Sequence, residues 1–140
     1  MWTALIASAW LGAMGVFVAT VSPTVFQALS MPDASRFLRA YFPKLFRLEI
    51  GVGLAILITA ILASNLLWMV LGVLIAAMAA FNLWVLTDRI NQIADALAEA
   101  PENQALKRRF GMMHGASAGL FSLGGLACMW IVGQTAWVLQ

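Results

Sequence analysis

The stretch GVGLAILITAILASNLLWMVLGVLIAAMAAFNLWVLT, residues 51–87, decides the fold. It holds two uncharged apolar runs separated by Ser64-Asn65. A helix of about twenty predominantly apolar residues spans a bilayer. The runs predict a helix over 45–63, a two-residue turn, and a helix over 66–87, paired as a helical hairpin. They lack the alternation of barrel strands. In lipid every backbone N–H and C=O must be satisfied internally, which leaves the helix.

The same reading extends outward. No charge occurs from Met1 to Pro32, which predicts a helix over 2–29, with Pro23 expected to kink or end its regular span. Met1-Trp2-Thr3 carries no positive charge ahead of the apolar run, so this segment reads as an uncleaved span rather than a signal peptide. A fourth helix is predicted over 110–135. Between helices 1 and 2, Phe37, Leu38, Tyr41, Phe42, Leu45 and Phe46 recur at spacings of three and four, with Arg36, Arg39, Lys44 and Arg47 among them. The spacing predicts a short amphipathic helix over 33–42 at the membrane interface, N-capped by Asp33 and closed by Pro43. Residues 88–109 are polar and helix-prone, broken at Pro101 and Asn103. They are expected to form a helical extension, a bend and the start of helix 4. The fold class is all-α: an integral membrane antiparallel four-helix bundle, one domain over 1–140.

Composition agrees. The chain is 63% hydrophobic and 10% charged, whereas a soluble domain carries about a quarter charged residues. All eight Lys and Arg fall in two clusters, at 36–47 and 89–109. That arrangement fits contact with lipid headgroups rather than nucleic acid. By the positive-inside rule, loops 31–47 and 88–109 are cytoplasmic and both termini lie outside the cell membrane. Trp2, Trp68 and Trp137 fall at the predicted outer ends, where indole prefers to sit. The single cysteine, Cys128, precludes an intrachain disulfide.

Polar side chains at membrane depth need partners and are candidate sites by default. Glu49, Asn82, His114 and Ser117 fall one to two turns inside the cytoplasmic ends of their helices, with Gln27 beside Pro23 and Arg89 just beyond helix 3. They predict a Glu49/His114 pair with Asn82 and Ser117 beside it, serving either as a ligand site or as a structural clasp. Met113 could join His114 and Glu49 around a metal ion; a metal or haem both stay open as cofactors. Gly111, Gly115 and Gly119 share one helix face and permit close packing, inside the bundle or against a second copy. Pro23 completes the expected packing set.

Four blocks carry a family resemblance: GVFVATVSPTVFQAL (15–29), YFPKLFRLEIGVGL (41–54), NLWVLTDRI (82–90) and RFGMMHGASAGL (109–120). With these the chain resembles the transmembrane-protein-205-like family, or domain of unknown function 4149. The family usually has proline where Asp88 stands here. The resemblance implies four helices in a membrane and no settled activity. No catalytic motif is present: no Gly-rich phosphate loop, no Cys-x-x-Cys and no HExxH. The function expected is binding or moving a proton, metal ion or small solute through a polar Glu/His site, in an oligomer. The alternative is an accessory subunit of a larger membrane complex. The expected partners are the lipid bilayer and a second copy or another membrane protein.

Overall fold

The computed structural model describes residues 1–138. Four helices account for nearly all of them: α1 (Trp2–Ala28), α2 (Met31–Leu62), α3 (Leu66–Glu99) and α4 (Gln104–Val138). Each is long and apolar enough to cross a membrane. Among the described residues, α2 packs along α3, α3 against α4, and α1 against both α2 and α4.

The hairpin at the centre forms because two residues end one helix and start the next. Asn65 N–H donates to the Ala60 carbonyl and Ser64 N–H to the Ile61 carbonyl, a reciprocal closure that satisfies otherwise orphaned carbonyls. Ser64 takes φ 53°, the left-handed conformation this closure needs. The Asn65 carboxamide oxygen then accepts from Trp68 N–H at 3.1 Å and caps α3. Beyond the turn the backbones nearly touch. A Cβ on Gly53 would lie 2.6 Å from Ala76 N, and one on Gly72 would lie 2.7 Å from Leu57 N.

Two expectations are corrected. The amphipathic segment 33–42 is not a separate short helix but the first part of α2, which runs unbroken through Pro43. A proline removes one backbone bond and clashes one turn back; here the interlocking rings of Tyr41, Phe42 and Phe46 brace that turn. The N-cap is Ser30 rather than Asp33. The Ser30 hydroxyl accepts from Asp33 N–H and donates to the Asp33 carboxylate at 2.6 Å, so Asp33 stands at the third helical position and holds the capping hydroxyl in place. Residues 88–99 continue α3 and 104–109 begin α4, leaving only 100–103 as the link.

Pro23 does not end α1. The backbone widens into one π turn at Phe17–Val21, where Ser22 N–H reaches the Phe17 carbonyl, and the helix continues to Ala28. Of the two packings expected for the α4 glycines, inside the bundle or against a second copy, the first is not found. A Cβ added at Gly111, Gly115 or Gly119 would meet nothing within 4 Å, so these positions pack against no neighbouring helix of this chain.

The core gathers Ala7, Trp10, Leu45, Ile56, Ile75, Cys128 and Ile131. The outside is equally apolar, with Leu54, Ile58, Val73, Leu126 and Trp130 about half exposed or more. An apolar shell around a small apolar core suits lipid as solvent.

The glycine contacts yield a stability prediction. Gly53→Ala and Gly72→Ala should each cost about 1–3 kcal/mol, because the new methyl meets backbone rather than a side chain that can turn away. Gly115→Ala should be near neutral. Thermal unfolding in one detergent checks all three.

Candidate functional site

Along Trp2–Val16, α1 lies against α4, with Trp10 edge-on to Phe121 at 6.0 Å between ring centroids. From the π turn onward α1 keeps contact with α2 and leaves α4. A π turn adds a residue to the helical circuit and re-aims the rest of the helix, and such turns recur at functional sites. The divergence opens a cleft of about 490 Å³ that all four helices line.

Its inner end is aromatic. Phe42 and Phe46 stack at 5.8 Å, and Phe46 meets Phe121 edge-on at 6.3 Å. Phe17 closes the α1 side, stacked on Tyr41 at 5.3 Å. Towards the charged ends of the helices the lining turns polar, with Ser35 and Arg39 of α2, Thr87 and Asn91 of α3, and His114 and Ser117 of α4. The Arg39 guanidinium is held by Asp95 at 2.7 Å. The His114 ring stacks on Phe110 at 5.8 Å with 5° between planes.

A second π turn, Asn82–Leu86, shapes the α3 wall. It frees the Asn82 carbonyl to accept from both Thr87 N–H and the Thr87 hydroxyl, the latter at 2.8 Å. The buried Asn82 carboxamide donates to the Ser117 carbonyl at 3.2 Å and so ties α3 to α4. Its Oδ1 has no partner among the described residues, and neither does the buried Trp10 Nε1.

Glu49 lies deeper. It is 1% exposed, and its Oε1 occupies the space a Cβ on Gly124 would need, 2.5 Å from that position. The absent side chain at Gly124 is what makes room for the carboxyl group. Buried Cys128 comes one turn further along α4.

The structure therefore brings together some of the expected residues and separates others. Asn82 and Ser117 are joined directly. Glu49 and His114 are not paired: Gly124 stands ten residues beyond His114 on α4, roughly 15 Å of helix rise. Counted from the helix ends expected by sequence, both lie about one turn inside; α2 and α4 begin earlier than that, so the two residues stand at different depths. Met113 does not line the cleft, and no group of three or more His, Cys, Asp or Glu side chains that could hold a metal assembles among the described residues. Arg89 and Gln27 are exposed and line no part of the cleft.

Arg39, Ser35, Thr87 and Asn91 are not among the site residues expected from sequence. A signal is present. Residues 35, 38, 39, 42 and 46 share one helix face, as do 87, 90, 91 and 94. Their mixture of polar and apolar groups reads as an interface facing lipid, since nothing in the chain announces that α1 swings away.

Four spans enclosing a cleft to which each contributes define an all-helical, multi-pass membrane protein. Within that class the chain belongs to the family described as Domain of unknown function (DUF4149), whose model matches residues 5–99. No curated protein and no solved structure matches the chain. The matched stretch carries α1 to α3, including Arg39, Glu49 and Asn82; the block at 109–120, with His114, lies beyond it.

The Glu49–Gly124 contact predicts a coupling. Gly124→Ala should destabilise by about 1 kcal/mol, less than Gly53→Ala or Gly72→Ala, because the methyl displaces the end of a flexible side chain rather than backbone. Adding Glu49→Ala should recover part of that loss, with an interaction energy above about 0.5 kcal/mol. A double-mutant cycle on thermal unfolding in detergent measures it, and additive losses would contradict the contact.

Proposed function

We propose that the protein binds a small solute within the membrane, in the cleft between α1 and α4, and that the buried Glu49 beyond the cleft's inner end takes part by holding a proton or cation. The observation that carries the reading is the cleft itself, lined from all four helices with His114 and Ser117 on one wall. Glu49 adds to it. An uncompensated charge at membrane depth is costly, and no salt-bridge partner for Glu49 occurs among the described residues; a bound proton or cation offsets that cost. No catalytic step is part of the proposal.

In this reading the helices form an antiparallel bundle across the cell membrane. The Thr3 hydroxyl meets that of Thr59 at 3.0 Å, joining the start of α1 to the end of α2. Arg39–Asp95 joins the start of α2 to the end of α3. The basic clusters at those ends are cytoplasmic, the amphipathic first part of α2 lies at the inner interface, and both termini are outside. The cleft then opens near the cytoplasmic face. A path across the membrane would need a second copy, for which Gly12 and Gly15 offer an open face on α1. The alternative is an accessory subunit. It draws on the shallow outer groove of α4 bordered by Leu126, Met129, Trp130 and Trp137.

Thiol accessibility tests the reading. In a Cys128→Ala background, Ser35→Cys and Ser122→Cys should react with a water-soluble maleimide in inside-out vesicles and stay unreactive in right-side-out ones. Failure of both to react from either side means the cleft is closed to water. Reaction only from outside means the orientation is reversed.

A further inference from the structure

We propose that the cleft takes a single-chain anionic amphiphile from the membrane, a free fatty acid being the simplest, with its acidic head at Arg39 and His114 and its chain among the phenylalanine rings. The inference rests on the cleft being a ligand site and names the class of ligand.

Charge supplies the first argument. No Asp or Glu lines the cleft, and its ionisable lining groups are Arg39 and His114. Asp95 engages one edge of the Arg39 guanidinium and is itself largely exposed, outside the lining. An arginine fork carries five N–H donors, so the held guanidinium keeps donors for a second carboxylate. Hydroxyl and amide groups of Ser35 and Asn91 stand at the same polar end.

The second argument is the division of the lining. Arg39 lies near the start of α2, while Phe46 lies seven residues further in, about 10 Å deeper. A charged end and a hydrocarbon end separated along the helix axis match an amphiphile. A hydrophilic solute would gain nothing from the inner rings, and a neutral lipid would gain no ion pair with Arg39. The volume of about 490 Å³ falls within the 300–1,000 Å³ typical of small-ligand pockets, which favours one chain over two.

The third argument is the route. Side chains at Gly111, Gly115 and Gly119 would meet nothing within 4 Å. Helical spacing puts Gly115 and Gly119 three residues from the cleft-lining Ala118 and Ser122. The α4 lip of the seam therefore has no side chain to bar it. On the α1 lip, Val18 and Phe26 are both at least half exposed. The cleft is open sideways, towards acyl chains.

The test uses the full chain in liposomes with a palmitate bearing a chain-end diazirine. After irradiation, proteolysis and mass spectrometry, label is expected in segments 17–26 and 110–122. Unlabelled palmitate should compete, and hexadecanol and hexadecyltrimethylammonium should not. Arg39→Gln should weaken competition about tenfold, the loss expected when a hydrogen bond to a charged group is removed. Arg39→Lys, which keeps the charge without the fork, should fall between and serves if the glutamine variant unfolds. Label spread over outer positions such as Leu54 and Trp130, indifferent to headgroup, overturns the proposal. Competition by phosphatidylglycerol equal to that of palmitate overturns the single-chain assignment. If Ser35→Cys and Ser122→Cys react with the water-soluble maleimide but palmitate does not protect them, the cleft stands as an aqueous solute site and the fatty-acid assignment falls.

Discussion

The close approach of α2 and α3 at Gly53 and Gly72 is the constraint on which the other contacts depend. Two backbones come near enough that neither position has room for a methyl group. Lipid provides no hydrophobic drive to press helices together, so dispersion at short range and complementary shape must do it. A turn that fills both of its helix termini with local hydrogen bonds holds the pair in register. The hairpin becomes a platform against which α1 and α4 settle, and it aims Glu49 and Asn82 inward rather than at acyl chains.

On that platform the polar groups are handled in two ways. Asn82 is anchored: a π turn releases its carbonyl to Thr87 while its side chain reaches the α4 backbone. Glu49 is accommodated instead, by the absence of a side chain at Gly124. The first arrangement ties two helices and resembles a structural clasp. The second places a carboxyl group where water has little access.

The cleft arises where α1 leaves α4. Its first half packs on both α4 and α2, with Trp10 against Phe121; at the π turn Phe17 stacks on Tyr41 of α2, and beyond it α1 keeps no contact with α4. The space left is apolar at depth and polar at the rim because α2 and α3 carry their charged extensions beyond the apolar spans. Arg39 is fixed there by Asp95 of the facing extension, so the rim is as much a product of hairpin register as the core is.

The number of spans, their helical nature and the position of the central turn are legible in the chain, because hydrophobic length and turn chemistry are local properties. The helix ends are legible only in part. Proline at 43 reads as a break, yet packing against neighbours offsets one missing backbone bond; the polar residues 88–99 read as a helical extension and form one, up to the link at 100–103. Ser30 rather than Asp33 caps α2, its hydroxyl accepting from Asp33 N–H while donating to the Asp33 carboxylate. The site is legible as residue types at membrane depth and not as an arrangement. Sequence alone determined that this chain forms four helices long and apolar enough to cross a membrane. Only tertiary structure decided that Glu49 meets Gly124 rather than His114, and that Arg39 and His114 share a cleft, because those contacts depend on where each helix starts and on which neighbour α1 tracks.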